Sequence, residues 1–281
     1  MKSEILATGL EVPEGPVVLS DGRIAFVEQV LGRVSVFDGR TVDTISEGPG
    51  APNAVTLGPD GYLYAAQNGG VEGTWRAAIP ARPSIERISL TGEIETWATT
   101  IADVDLAAPN DLVFGPDGRL YLTDPSEPYD PQRAHATNRL LALGSHGGEV
   151  LIELPPSYIN GLAFTPKGEL VWVESYTRDV CLLDEGAKRR LCALPESHIP
   201  DGLDIAADGR MYVATTFSHG ITVVAPDGEI VDHIPLDESA IPTNCCFHGS
   251  DLLVTDFGVG YRAGNARGRL WRVETDAVGR K

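Results

Sequence analysis

The chain has 281 residues, 42% of them hydrophobic, and sets 22 Lys and Arg against 40 Asp and Glu for a net charge of −18. That length supports one large domain or two small ones, and the acidic balance argues against nucleic acid or an anionic membrane as a partner, because both are bound through Lys and Arg. No stretch reaches the ~20 apolar residues of a membrane span, and the opening MKSEILATGLEVPEG lacks a basic flank followed by an apolar block, which predicts a cytoplasmic chain.

In chain order the sequence reads as short strand pairs, with almost no helical periodicity. The pairs are EGPVVLSDGRIAFVE from Glu14, PNAVTLGPDGYLYAAQ from Pro52 and PNDLVFGPDGRLYLTD from Pro109, then INGLAFTPKGELVWVE from Ile159, PDGLDIAADGRMYVAT from Pro200 and TNCCFHGSDLLVTD from Thr243. Each is an apolar strand, a tight glycine turn and a second β-rich strand. The turn glycines are Gly22, Gly61, Gly118, Gly168 and Gly209, separated by 39, 57, 50 and 41 residues, with insertions in the two longest intervals. A period near 40 with about four strands per unit predicts an all-β, six-bladed β-propeller of four-stranded antiparallel blades. RVSVF with TVDTIS, DVCLLD with RRLCALP, and GITVVA with EIVDHIPL supply further strands of blades one, four and five. LWRVET belongs to the last blade, where the N-terminal SEILATG is expected to add the outer strand and close the ring as a single domain over residues 1–281.

The residue eight positions before each turn glycine is Glu14, Asn53, Asn110, Asn160 or Asp201, and the irregular sixth copy has Asn244 at the matching point. In any one copy an Asn or Asp here could cap the loop through an Asx turn. Six together, one of them a Glu, point instead to a ring of side-chain oxygens at one end of the central channel, since these residues are depleted in strands. Two carboxylates with amide carbonyls, and neither Cys nor His, suit a hard divalent cation: calcium first, with magnesium, manganese, zinc or ferrous iron also compatible. Glu14 and Asp201 neutralise its charge.

A second polar column lies fourteen residues after the ring: Glu28, Gln67, Asp124, Glu174 and Thr215. Its members are candidates for outer support of the ring or for substrate contact, against the plain reading of a polar rim. The insertion at 68–86, with Trp75 and Arg76, is the first candidate for a lid, and the insertion at 126–138 offers Tyr129, Arg133 or His135. His198 and His219 could carry protons or be solvated loop histidines. The four cysteines, at 181, 192, 245 and 246, form no zinc spacing, and buried thiols are preferred to a Cys181–Cys192 disulfide. No nucleotide-binding motif is present.

PEGPV at 13–17, PNDLVFGPDGRLYLTD at 109–124, NGLAF at 160–164, PDGLDI at 200–205 and TNCCF at 243–247, taken in order, resemble the SMP-30/gluconolactonase/LRE-like family over nearly the whole chain. The resemblance implies one catalytic divalent cation, usually calcium, held by Glu14, Asn160 and Asp201. Asn110 would contact the metal or the substrate, and Asp201 would serve as general base or orient the attacking water. It also implies lactone hydrolysis, often of sugar lactones. One departure is Ala108, where family sugar-lactone hydrolases often carry an Arg that grips the sugar. That weakens the case for a sugar lactone relative to a less polar lactone or a different ester-like substrate; in each case a small molecule is expected, with Asn53, Asn244, Trp75, Asp124 and His219 as candidate contacts. A metal-dependent lyase, isomerase or cyclase, and a binding propeller with a structural ion, are the alternatives. The sequence carries no signal for oligomeric state.

Overall fold

The five turn glycines behave alike. Each takes a positive φ, from 78° at Gly118 to 89° at Gly209, which an unbranched backbone reaches without strain, and each donates its N–H to the carbonyl three residues back. In four of them the preceding Asp (21, 60, 117 or 208) accepts the N–H two residues further on. The sixth hairpin turns instead through Gly249 and Ser250, between the paired His248 and Asp251.

The computed structural model describes residues 2–72, 75–132, 135–258 and 267–280. Six four-stranded antiparallel sheets form the blades of a propeller. Blade one is Pro13–Val18, Ile24–Glu28, Arg33–Phe37 and Val42–Glu47; blade two is Pro52–Leu57, Leu63–Gln67, Ser84–Ile88 and Ile94–Ala98. Blade three is Leu112–Phe114, Leu120–Asp124, Asn138–Gly144 and Gly147–Leu154; blade four is Ile159–Phe164, Leu170–Glu174, Asp179–Asp184 and Ala187–Ala193. Blade five is Pro200–Ile205, Met211–Thr215, Gly220–Val224 and Ile230–Pro235. Blade six runs Pro242–His248, Asp251–Asp256 and Gly268–Glu274, and its outer strand is Ser3–Leu10, paired antiparallel with Gly268–Glu274.

In five of the six blades the second strand is buried along its length, as in IAFVE, LYLTD and LVWVE. It is covered on both faces by neighbouring blades, so it reads as a continuous run rather than an alternation. Outer strands such as VDTISE are largely exposed. The core is therefore divided into slabs between adjacent blades. One joins Val27 and Val34 to Leu63 and Ile88, and another joins Phe26 and Phe37 to Leu253 and Leu270, across the junction of the first and last blades. All four cysteines are free thiols; Cys181 faces Arg190 across its hairpin, while Cys192 faces Val180. No helix among the described residues is long and apolar enough to cross a membrane.

Candidate functional site

Five of the six innermost strands begin irregularly. Pairing with the second strand slips between Glu14 and Val17, Pro52 and Ala54, Ile159 and Leu162, Pro200 and Leu203, and Pro242 and Asn244. Such bulges re-aim side chains out of the alternation; Asn53, Asn160 and Asp201 fall within the slipped segment and Glu14 and Asn244 border it. Glu14, Asn53, Asn110, Asn160 and Asp201 line one cavity at the end of the propeller axis. It encloses about 810 Å³ including its open mouth.

Below this ring the strands nearly touch. A Cβ on Gly161 would come within 2.6 Å of the Gly202 Cα, and one on Gly202 within 2.0 Å of Asn244 Cγ. Asn244 is thus turned beneath the ring. Its Oδ1 accepts the Cys245 N–H at 2.8 Å, and its amide nitrogen donates to the buried Asp111 carboxylate at 3.2 Å. Burial pushes the Asp111 carboxyl up to about 6, against the hydrogen bond from Leu112. Asn244 is not on the cavity wall.

The amides of the ring are used unequally. Asn53 accepts from Gln29 Nε2 at 2.6 Å and donates to the Asn110 carbonyl at 3.2 Å, so both its ends are spent on the protein. Asn160 donates to Ser175 Oγ at 3.2 Å, which commits its nitrogen and leaves its oxygen as the end for the cavity. The Oδ1 of Asn110 and the Oε1 of Gln29 are buried with no hydrogen-bond partner among the described residues. A buried orphan acceptor costs about 1–3 kcal/mol, and two of them beside Glu14 and Asp201 form a set of oxygens that a hard cation satisfies. No Lys, Arg or His lines the cavity among the described residues. The donors present therefore fit a divalent cation.

A second group also brings potential ligand atoms together: Glu174, Asp179 and Cys181, within 4.8 Å of one another. Lys188 already serves as its cation, with Nζ 2.7 Å from Glu174 and 3.4 Å from Asp179. Burial and the Glu174 charge hold the Cys181 thiol protonated. This cluster is an ion pair inside blade four and not part of the cavity.

The polar column at the ends of the second strands has a structural task. Asp124 accepts the N–H groups of Ala107, Ala108 and Ser126 at 2.9–3.0 Å. Glu28 accepts that of Glu11, Gln67 that of Ala51, and Asp256 that of Ile241. Each acceptor grips the chain two or three residues before a ring residue. Asp124 is fully buried and stands off the cavity wall.

The cavity is lined instead by the next residue along. Gln29, Ser175, Thr216 and Phe257 each follow a member of that column, because successive residues of an extended chain face opposite sides. Gln29 is the polar group that reading fourteen residues from the ring passes over; counting fifteen finds it.

Of the two insertions, the one between the second and third strands of blade three reaches the site. Tyr129 lines the cavity and packs against Tyr158 and Tyr176 at centroid distances of 5.0 and 5.3 Å. The Tyr176 hydroxyl accepts the Asp130 N–H at 2.8 Å and anchors the loop. Trp75 lies in a short hairpin with Glu72 and lines a separate surface groove, so it is not part of the cavity wall. Arg76 donates to the carbonyl of Trp75 in that hairpin. Arg133 lies outside the described residues, and His135 is exposed beside Glu127. His198 pairs with Thr222, and His219 with the Ala240 carbonyl at 2.6 Å; neither lines the cavity.

The sequence model of the SMP-30/gluconolactonase/LRE-like region matches residues 12–256. A gluconolactonase of Zymomonas mobilis is 25% identical over 87% of this chain and 75% of its own. Two solved structures share the fold. One is a gluconolactonase of Xanthomonas campestris, with TM-score 0.76 and 23% identity over 96% of this chain and 89% of that one. The other is a calcium-binding regucalcin of Agrobacterium tumefaciens, with TM-score 0.78 and 17% identity over 99% and 95%. With the family model covering most of the six-bladed ring and the cavity at its axis, the chain belongs to the SMP-30/gluconolactonase/LRE-like family.

Proposed function

We propose that the protein is a divalent-metal-dependent hydrolase of a lactone, most simply a calcium enzyme, acting on a small molecule in the cytoplasm. The observation that carries this is the pair of carboxylates, Glu14 and Asp201, sharing one cavity with the orphaned Asn110 oxygen. The gluconolactonase relatives support the reaction class, and the regucalcin relative supports the choice of ion. Glu14, Asn110, Asn160 and Asp201 would hold the cation. Bound there, it supplies a Lewis acid for a carbonyl oxygen and lowers the pKa of water.

The chain's own groups account for the rest. As water adds to the lactone carbonyl carbon, the Asp201 carboxylate takes its proton. The ring C–O bond then breaks, and the alkoxide recovers that proton from Asp201, giving a hydroxy acid. Asn53 and Gln29 fix the Asn110 segment through their chain of amide hydrogen bonds. The aromatic side of the cavity limits competing water.

The test is lactone hydrolysis, followed by pH-stat, in chelator-stripped protein with each divalent ion restored separately. Turnover is expected only with ion present, and Asp201→Asn should lower kcat by about 10²–10⁴-fold. Undiminished turnover in the metal-free protein, or in the variant, would refute the proposal.

A further inference from the structure

The cavity has two unlike sides. Polar groups reach it from both halves, Glu14, Gln29, Asn53 and Asn110 from blades one to three and Asn160, Ser175, Asp201 and Thr216 from blades four and five, whereas the large apolar side chains, Ile199, Phe217, Ile241 and Phe257 with the ring of Tyr158, all come from the side of blades four to six, with Tyr129 beside them. Phe257 and Ile241 are braced from behind by Val12 and Val30. Phe217 stands at the mouth with 40% of its surface exposed.

The polar groups outside the cation set offer little to a polyhydroxylated substrate. Ser175 Oγ donates to the Pro200 carbonyl while accepting from Asn160. Both ends of Asn53 and the amide nitrogen of Gln29 are engaged with one another and with Asn110, which leaves Gln29 Oε1 as the open acceptor on the opposite side. Thr216 Oγ1 points at the Ile199 carbonyl, 3.4 Å away. A sugar hydroxyl placed against Ile199, Phe217, Ile241 or Phe257 would lose its water without gaining a partner from them, which costs binding. A carboxylate or phosphate seated on that wall would lose its water and meet no described basic residue there.

We infer that the lactone ring carries an uncharged hydrocarbon or aromatic substituent, seated between Tyr158, Ile199 and Phe217 while the carbonyl is held at the oxygen ring. This rests on the lactone-hydrolase reading for what happens at the carbonyl, and on the wall alone for the substituent.

The experiment therefore has two arms, both on calcium-loaded protein. In the first, kcat/KM is measured for δ-valerolactone, for its methyl, propyl and hexyl derivatives substituted beside the ring oxygen, and for δ-gluconolactone. It should climb about four-fold per added methylene until the wall is filled, and the hexyl compound should exceed the gluconolactone at least ten-fold. Phe217→Ala, at an exposed position that does not threaten folding, should shrink the hexyl-to-unsubstituted ratio several-fold. In the second arm the corresponding lactams, which are not hydrolysed, are titrated by calorimetry, with the hexyl lactam expected to bind at least ten-fold tighter than the polyhydroxylated one. No lactone turnover with the lactam preference intact would overturn the hydrolase reading and leave the substituent inference standing. A polyol preference, or an alkyl chain that adds nothing in either arm, would overturn the inference itself.

Discussion

Asp124 offers a quantitative test of how the propeller holds its site. The side chain is fully buried and accepts three backbone N–H groups, two from Ala107 and Ala108 ahead of Asn110 and one from Ser126, which opens the loop carrying Tyr129. Hydrogen bonds to a charged acceptor contribute about 1.5–3 kcal/mol each, and part of that sum is offset by the cost of burying the carboxylate. Asp124→Ala should therefore cost about 3–5 kcal/mol. Asp124→Asn keeps an oxygen where Oδ1 takes Ala108 and Ser126, loses the Ala107 bond and sets an NH₂ against that N–H; it should cost about half as much. Asp38 is the control, because it also accepts two backbone N–H groups, at 2.8 Å, but on the exposed rim; Asp38→Ala should cost under about 1 kcal/mol. Guanidinium unfolding at fixed calcium, followed by tryptophan fluorescence, reads the midpoints, with unchanged m confirming that only stability moved. Asp124→Ala should also lower kcat/KM, since it loosens the segment that delivers Asn110. If it costs no more than Asp38→Ala, burial does not amplify these bonds and the positioning argument fails.

Other consequences follow from single contacts. Gly202→Ala would drive a methyl into Asn244, where the open distance is 2.0 Å; a loss of about 3 kcal/mol is expected, and adding Asn244→Ala should restore more than 1 kcal/mol of it in a double-mutant cycle. Gln29→Leu removes an orphaned acceptor and the donor to Asn53, and should weaken calcium binding about ten-fold by calorimetric titration. Burial raises the half-buried Glu86 carboxyl from 4.5 to about 6, against a hydrogen bond from Gln67. An acid that holds its proton more tightly when folded stabilises the fold below pH 4.5, and that contribution is lost as pH rises to 6. The gross effect is roughly 2 kcal/mol, reduced to about 1 by partial exposure. Glu86→Gln should therefore raise Tm by a few degrees at pH 8 and leave it unchanged at pH 4, whereas an equal gain at both would contradict the assignment.

How legible the molecule is in its sequence depends on which interactions repeat. The turn at Gly22 recurs at Gly61, Gly118, Gly168 and Gly209 with one hydrogen-bond pattern, so blade number and strand order can be read from spacing. The oxygens of Glu14 to Asp201 recur with it because each stands at the same point, eight residues before its turn glycine, at the start of an inner strand. Asn244 departs because its neighbour Gly202 leaves room for it to fold under the ring and meet Asp111, a contact between blades that no local period encodes. Gln29 is hidden for a simpler reason: one residue of offset along a strand exchanges the face that grips the backbone for the face that meets the cavity. The insertions carry no period, and it takes the Tyr129–Tyr158–Tyr176 packing to bring the blade-three loop, rather than the loop of Trp75, to the site.

The sixth sheet has a kinetic implication. Leu10 pairs with Gly268, 258 positions away, so the ring shuts only when the earliest and the latest strands of the fold meet. During synthesis the first five blades can assemble in order, each on the edge left by the one before. Until Gly268–Glu274 emerges, the growing crescent keeps an apolar flank around Phe26 and Phe37 with nothing against it, together with a strand edge open to other chains. The slowest and most aggregation-sensitive moment of its folding therefore falls at the completion of blade six, and stalling or truncation within that blade should be more damaging than the few strands removed would suggest.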